Sequence, residues 1–339
     1  DVSVSTNLGP WVNQRGVFSL DVRNDVFRDE KVASAQKWLR HGGGQHMELG
    51  IAENNLFIML AALGLSGPVF GTRLLPVGTL YDPFIARGLD ALNYACYQDA
   101  RFMLVATPAG ITLAPEGGAH QSVSTPLIGM GQPGLISFEP TYADELAVIM
   151  KWGFEYMQED EGGSIYLRLS TRTINQPQRT ITPQLEKDIL GGAYWMIEPN
   201  KDSPLAIIYT GTVVPEVLDA FNDLKEDIPG LGLLSITSSD RLYHDWQRSL
   251  TISENREQPH LERLFSRLNR KAALITVQDG HPANLSWIGA TTGRRVYPLG
   301  LTEFGQSGNL PDLFRTYKID ADAIIQMAAR ASIDLASPR

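Results

Sequence analysis

Residues 102–122, FMLVATPAGITLAPEGGAHQS, join an apolar strand to a glycine-rich loop that carries ionisable side chains. Similar apolar runs recur along the chain and are separated by helical patterns. Continuous apolar strands suit a sheet covered on both faces, and strands that alternate with helices form parallel sheets. We therefore predict strands at Leu74–Val77, Phe102–Ala106, Gly134–Phe138, Ser164–Arg168, Leu205–Tyr209, Gly232–Ile236, Ala273–Val277 and Arg295–Pro298.

The intervening patterns predict helices at Gly50–Leu65, Asp82–Tyr97, Tyr142–Met157, Val214–Asp223, His260–Leu268 and Ala321–Ala331. The stretch Ser170–Ile189 is polar, contains two prolines and has no sustained period, so it predicts a linker. A length of 339 residues agrees with two domains. The predicted fold class is α/β, with domains at 1–185 and 190–339, each a mainly parallel sheet flanked by helices.

Composition limits the partners of this chain. It has 29 Lys and Arg against 38 Asp and Glu, a formal net charge of −9, whereas nucleic-acid-binding domains gather basic residues. The single cysteine, Cys96, excludes an internal disulfide and favours a reducing compartment, so the cytoplasm is the expected location. The apolar run Leu56–Leu65 has about half the length of a bilayer span. We expect neither a nucleic-acid nor a membrane partner.

One ionisable residue lies at the start of an apolar helix. Glu53, in the segment HMELGIAENN at 46–55, directly precedes the apolar run. The helix dipole favours an acid in the first turn, which is the ordinary structural role of such a residue. Beside so apolar a run, the carboxylate also needs a partner or a proton. Glu53 is therefore a candidate proton-exchanging acid.

The loop after the strand Phe102–Ala106 contains a second group of candidates. Open α/β sheets bind ligands at the carboxyl ends of their parallel strands. Gly117 and Gly118 let the backbone approach a ligand closely, while Glu116 and His120 supply a carboxylate and an imidazole for acid–base catalysis. A glycine-rich loop with one histidine also serves structural purposes, and the residues alone leave both interpretations open.

A third group is aromatic. In the segment LYDPF at 80–84, Asp82 is the predicted N-cap of a helix and Pro83 its first residue. Tyr81 and Phe84 are predicted either to pack in the core or to form a stacking platform for a flat cofactor.

Other cofactor motifs are missing from the sequence. Neither a P-loop nor a Gly-x-Gly-x-x-Gly fingerprint follows a predicted strand, which argues against nucleoside triphosphates and nicotinamide cofactors. His41, His46 and His120 lack the spacing of a metal site. We assign no metal ligand in this chain.

Together these segments resemble the pyrimidine-binding domain of the transketolase superfamily of thiamine-diphosphate enzymes. Two further segments look most like the homodimeric bacterial pyruvate dehydrogenase, and the tail is similar to the C-terminal domain of the same enzymes. The resemblance implies a pyrimidine-binding domain at 1–185 and a transketolase C-terminal-like domain at 190–339. The stretches that carry it are Gly50–Glu53 with its helix, Tyr81–Phe84, Pro115–Gln121, Leu74–Arg101, Phe138–Ile149 and Gly211–Ala323 with Glu303-Phe304-Gly305.

The resemblance implies roles for individual residues. Glu53 would hydrogen-bond the aminopyrimidine ring nitrogen of thiamine diphosphate, which lets the cofactor's own amino group take a proton from the thiazolium carbon. His120 would exchange protons at the carbonyl oxygen of the substrate, and Glu116 would orient His120 or bind the substrate. Tyr81 and Phe84 are the candidates to stack on the pyrimidine.

The resemblance also implies a missing part. These enzymes hold the diphosphate and Mg²⁺ on a domain with a Gly-Asp-Gly…Asn motif. Asp279-Gly280 with Asn309 imitates half of it, but Gln278 replaces the leading glycine and a predicted strand intervenes. The chain, which begins with Asp1, is therefore expected to be the C-terminal portion of a longer enzyme or one subunit of a split enzyme. Glu53 should lie where it meets a second copy or a complementary diphosphate-binding domain.

The implied activity is that of a pyruvate dehydrogenase (acetyl-transferring) homodimer, which links glycolysis to acetyl-CoA. It would decarboxylate a small 2-oxo acid and pass the acyl group to a lipoyl-bearing acyltransferase. One alternative is a transketolase acting on sugar phosphates, with Arg168, Arg172 and His281 as candidate phosphate contacts. Another is a non-catalytic assembly fragment. The second domain is assigned to packing and assembly, with His281 and Glu303 as candidates to line an entrance.

Overall fold

The computed structural model describes residues 6, 8–22, 26–33, 37–251 and 258–336. Its strands are β1 Val17–Phe18, β2 Arg40–His41, β3 Val77–Leu80, β4 Met103–Ala106, β5 Leu135–Phe138, β6 Ser164–Arg168, β7 Ala193–Ile197, β8 Leu205–Thr210, β9 Gly232–Ile236, β10 Ala273–Val277 and β11 Val296–Leu299. Its α-helices are α1 Gly9–Arg15, α2 Val26–Asp29, α3 Glu53–Gly64, α4 Ser66–Phe70, α5 Leu89–Tyr97, α6 Thr125–Gly131, α7 Ala143–Tyr156, α8 Pro183–Gly191, α9 Val214–Leu224, α10 Ser239–Thr251, α11 His260–Phe265, α12 Ala283–Ser286, α13 Leu310–Thr316 and α14 Ala321–Ala336. Short 3-10 helices span Asp82–Gly88, Gly118–His120, Gly211–Val213 and Ile288–Thr291.

The two larger sheets are mainly parallel. The first has the strand order β3-β4-β6-β5, and its neighbouring strands are all parallel. The second has the order β11-β10-β8-β9-β7, in which the edge strand β7 runs antiparallel to β9 and the other pairs are parallel. These sheets and their helices confirm the predicted α/β class. The division into domains at 1–185 and 190–339 stays a prediction.

Helices cover both faces of the second sheet, which explains why its strands read as continuous apolar runs. Successive residues of β10 alternate between two cores. Ile275 packs in the same core as Val217 of α9, whereas Leu274 packs on the opposite face in the same core as Phe265 of α11. The first sheet likewise has a hydrophobic core on each face.

A predicted strand and a predicted helix near the first sheet have different bounds in the structure. The strand predicted at Leu74–Val77 lies three residues later, as β3, because Pro76 cannot donate a ladder hydrogen bond and pairing starts at Val77. The helix predicted at Asp82–Tyr97 is divided into a 3-10 helix and α5 at Gly88. A Cβ atom at Gly88 would lie 2.2 Å from Cδ2 of Phe57, so the close approach of α3 requires glycine there.

The predicted linker Ser170–Ile189 is wrong in its second half, because α8 occupies Pro183–Gly191. Thr182 caps this helix by accepting the N–H of Leu185 at 3.2 Å, and Gly192 ends it at a φ of 107°. Apolar residues of α8 pack against the first sheet. The polar composition suggested a linker, although the sequence contains the residues that start and end the helix, Thr182 and Gly192. The sequence analysis also missed the edge strand β7 and the polar helix α10.

The carboxyl ends of strands from both sheets face each other. After β10, Asp279 accepts the N–H of Ile111, from the loop after β4, at 2.9 and 3.1 Å. The N–H of Glu139, after β5, donates to the carbonyl of Thr237, after β9, at 2.8 Å. This edge is where open α/β sheets bind ligands. In the part of the chain that is described, no helix combines the length and the apolarity that a bilayer crossing requires.

We expect the buried Asp279 to make stability depend on pH. Burial raises the pKa of this carboxyl to about 7, whereas an unfolded chain loses the same proton near pH ~4. The native state therefore binds an extra proton between these values, and the free energy of unfolding should fall as the pH rises through this window. Asp279→Asn, which keeps a neutral acceptor for the N–H of Ile111, should make that fall smaller. Urea unfolding at about pH 5 and about pH 8 measures it.

Asp202→Asn, at an exposed turn, is the matched control and should follow the unmodified chain. An Asp279→Asn chain whose stability falls as steeply as that of the control would contradict the prediction. The flattening should be partial, because burial also raises the pKa of Glu139.

Candidate active site

The structure brings the aromatic segment and the glycine-rich loop together. The rings of Tyr81 and Phe84 lie 6.0 Å apart, with 20° between their planes. The imidazole of His120 meets both rings edge-on, at 6.3 Å from Tyr81 and 5.4 Å from Phe84. Tyr81 is buried and Phe84 is half-buried. These two rings, called the platform below, therefore lie beside the predicted proton-exchanging histidine, and their stacking on a cofactor stays a prediction.

Glu53 joins this group through an arginine that the sequence analysis did not single out. It is the first residue of α3 and is only 6% exposed. Nη1 of Arg87 donates to its Oε1 at 2.9 Å. The same guanidinium lies over the ring of Phe84, 3.9 Å from the centroid. Arg87 thus supplies the partner that a carboxylate beside an apolar run requires.

Glu116 and His120 form the accessible side of the site. Oε2 of Glu116 lies 3.7 Å from Nε2 of His120, and the two side chains are 46% and 42% exposed. This separation is longer than a hydrogen bond, so the carboxylate adjusts the charge near the imidazole without fixing its orientation. Both groups are placed to meet a substrate that arrives from solvent.

The loop that carries Glu116 and His120 contacts a segment that follows strand β11 of the second sheet. Nε2 of Gln121 donates to the carbonyl of Gln306 at 3.2 Å, and the N–H of Gly308 donates to the carbonyl of Ala114 at 3.1 Å. The side chain of Phe304 in this segment is 93% exposed. The 301–308 segment, which contains the predicted entrance residue Glu303, therefore borders the loop.

His281, the other predicted entrance residue, contacts different residues from those that the 301–308 segment contacts. Its N–H donates to the carbonyl of Val123 at 2.8 Å, and its Nδ1 accepts the N–H of Ala283 at 3.2 Å. The first contact joins it to the residues that follow the loop of Glu116 and His120. Its role at an entrance stays a prediction.

Asp82 does not act as the predicted N-cap. Its side chain makes no capping hydrogen bond and is completely buried. It instead accepts hydrogen bonds from Ser122, Thr125, Tyr166 and Arg168. The local motif was misleading because these donors lie between 40 and 86 residues further along the chain, where no local pattern could indicate them.

Two of the three candidate phosphate contacts are already paired. Arg168 is 3% exposed and donates to Asp82 and Glu139. Arg172 forms a two-point contact with Glu216, at 2.8 and 2.6 Å. Neither guanidinium is available to a sugar phosphate in this structure.

The residues present fit the pyrimidine end of thiamine diphosphate. A planar nitrogen-bearing group already fits between Phe84 and Glu53, because the guanidinium of Arg87 stacks on the ring and donates to the carboxylate. The side chain of Arg87 is 53% exposed, so it can move aside into solvent. For the metal-bound diphosphate end, the described residues contain no group of three His, Cys, Asp or Glu side chains that could hold an ion.

The chain is similar to known proteins over much of its length. Residues 24–177 match the family described as the pyruvate dehydrogenase E1 component middle domain. The chain is 26% identical over 304 residues to the pyruvate dehydrogenase E1 component of Pseudomonas aeruginosa, covering 86% of this chain and 34% of that protein. It is 24% identical over 294 residues to a probable transketolase of Schizosaccharomyces pombe, covering 85% and 37%. The chain thus spans about a third of the length of these relatives.

Solved structures show the same fold. A transketolase from Leishmania mexicana matches with a TM-score of 0.73 at 17% identity, covering 99% of this chain and 42% of that one. A split-gene transketolase, described as an inactive β4 tetramer, matches with a TM-score of 0.61 at 18% identity, covering 97% and 95%. Residues 24–177 are thus similar to the middle domain of pyruvate dehydrogenase E1 components. The chain as a whole has the transketolase fold.

Removing the partner of Glu53 should destabilise the protein. Arg87→Ala leaves a buried carboxylate without its ion pair, which should lower the free energy of unfolding by about 1–3 kcal/mol. Urea unfolding measures the difference. Arg315→Ala is the matched control, because it breaks an ion pair with Asp312 in which both side chains are exposed, and it should cost less than about 1 kcal/mol. Equal, small losses for both variants would show that Arg87 does not support Glu53.

Proposed function

We propose that this chain provides the pyrimidine-binding half of the active site of a thiamine-diphosphate-dependent 2-oxo acid dehydrogenase of the pyruvate type. The observation that carries the proposal is the buried Glu53 carboxylate. It pairs with the guanidinium of Arg87, which also stacks on the ring of Phe84. Flat nitrogen heterocycles are recognised by stacking together with a hydrogen bond to a ring nitrogen. Phe84 and Glu53 offer both contacts.

The residues of this chain have distinct tasks in that reaction. Glu53 holds a proton at the ring nitrogen of the pyrimidine, while Phe84 and Tyr81 orient the ring and exclude water from one side. When bound, thiamine diphosphate would supply the carbon nucleophile and the electron sink that decarboxylation of a 2-oxo acid requires. His120 gives a proton to the substrate carbonyl oxygen and takes it back, and Glu116 beside it binds the substrate.

We further propose that a second copy or a complementary diphosphate-binding domain, on another polypeptide or elsewhere in a longer chain, holds the phosphates and Mg²⁺. Ile51 and Ile58, on either side of Glu53 in the sequence, are 70% and 55% exposed. A second polypeptide that covered them would bury apolar surface next to the segment that carries Glu53.

The proposed substrate is pyruvate or a close 2-oxo acid, and the proposed acyl acceptor is a lipoyl-bearing acyltransferase. Transketolase is the second candidate, because both kinds of enzyme occur among the relatives. The pairing of Arg168 and Arg172 with carboxylates favours the dehydrogenase. Release of carbon dioxide from a 2-oxo acid, absent from transfer between sugar phosphates, separates the two.

Glu53→Gln should abolish decarboxylation in the enzyme assembled with its diphosphate-binding domain. Because the amide cannot exchange a proton with the ring nitrogen, we expect a loss of roughly 100-fold or more in kcat. Carbon dioxide release measures activity, and circular dichroism verifies the fold. Glu48→Gln, at an exposed acid paired with Arg40, is the control and should retain activity. Near-normal turnover of Glu53→Gln would remove the assignment.

The chain alone should bind thiamine diphosphate with Mg²⁺ weakly, because the phosphates and the ion require ligands from the other domain. Calorimetry of the chain with and without that domain measures the difference. Tight binding by the isolated chain would contradict the proposed division of the site.

A further inference from the structure

Asp82 lies between Tyr81 and Phe84 in the sequence, and its carboxylate accepts several hydrogen bonds. The side chain is completely buried. Its Oδ1 accepts from the hydroxyl of Tyr166 at 2.5 Å. Its Oδ2 accepts from Ser122 and Thr125 at 2.5 Å each and from Nε of Arg168 at 3.1 Å. The segment that carries both rings is therefore anchored at its middle residue.

One of these hydrogen bonds leads to the catalytic loop. Ser122 follows His120 by two residues, and its hydroxyl also accepts the N–H of Gly110 at 2.8 Å. Through Ser122, the carboxylate of Asp82 connects the ring-bearing segment, the loop after β4 and the end of the His120 loop. Thr125 donates to the same oxygen from the first turn of α6, without a comparable link to the imidazole.

This arrangement needs a carboxylate. Every group that contacts Asp82 is a donor, and one of them is a buried guanidinium. An asparagine would present an NH₂ group to some of these donors, which cannot accept from them. The cation of Arg168 would also lose one of its charged partners.

We propose that Asp82 is a positioning residue that, through Ser122, holds the Tyr81–Phe84 platform and His120 at contact distance. The inference rests on the function proposed above, because positioning matters only if both groups act on one bound molecule. Displacing a reacting group by about 1 Å can lower a rate on the order of 100-fold. A general structural role for Asp82 would instead affect stability alone.

The decisive comparison is Ser122→Ala against Thr125→Ala. Each variant removes one hydroxyl that donates to Oδ2 of Asp82, but only Ser122 connects that oxygen to the His120 loop. Proton NMR of the chain alone reports the geometry, because the nearby rings of Phe84 and Tyr81 displace the His120 ring-proton signals from their unfolded values. The protein has six histidines, so the signals are assigned with a His120→Gln variant.

We expect Ser122→Ala to lose most of this displacement and Thr125→Ala to keep it, with both chains folded by circular dichroism. Unchanged His120 signals in Ser122→Ala, or an equal loss in both variants, would overturn the proposal. Asp82→Asn should resemble Ser122→Ala if it folds. If it does not fold, the comparison of the two hydroxyl variants still decides.

A kinetic measurement separates this inference from the proposed function. In the enzyme assembled with its diphosphate-binding domain, Ser122→Ala should lower kcat for decarboxylation by about 10- to 100-fold with little change in KM, while Thr125→Ala stays near the unmodified enzyme. Equal activity of both variants would overturn the positioning role. An assembled enzyme without decarboxylase activity would refute the proposed function, while the NMR comparison would still report on the contact between platform and histidine.

Discussion

The buried guanidinium of Arg168, at the carboxyl end of β6, connects both sheets with the candidate site. It donates to the side chain of Asp82, next to Tyr81 in the sequence, to the side chain of Glu139 after β5 and to the carbonyl of Asp279 after β10. Removing one member of such a buried ion pair typically costs about 3–5 kcal/mol, because its partner is left as an uncompensated charge. These contacts link the segment that carries the platform to loops that follow strands of both sheets.

The cluster holds more acid than base. Three carboxyl groups, those of Asp82, Glu139 and Asp279, surround one guanidinium, and burial raises the pKa of Glu139 and Asp279. Below a pH of about 7, the proton on Asp279 therefore compensates part of the charge that Arg168 does not. Burial of these carboxyl groups is unfavourable, but their hydrogen bonds join segments that are distant in sequence. Asp279, for example, accepts the N–H of Ile111.

The sequence patterns correctly predicted the elements that depend on the local order of apolar and polar residues. The bounds of β6, β9 and β10 were correct because strands buried on both faces appear as uninterrupted apolar runs. The helix α10 was missed because its composition is polar. The resemblance singled out the segments of the platform rings and of His120, but their contact was found only in the structure. The hydrogen bonds of Asp82 depend on residues that only the folded chain brings near, so its local motif indicated a cap.

The charges of the site bear on the orientation that thiamine diphosphate would take. Arg168 shares its guanidinium between the carboxylates of Asp82 and Glu139, and Arg87 pairs with Glu53. Both guanidinium groups are therefore engaged by carboxylates, which leaves the charge of a diphosphate uncompensated here, whereas a pyrimidine that shares a proton with Glu53 needs no cation. We therefore expect the pyrimidine to face Glu53 and the phosphates to point away from Asp82, towards a complementary domain that would provide the cations.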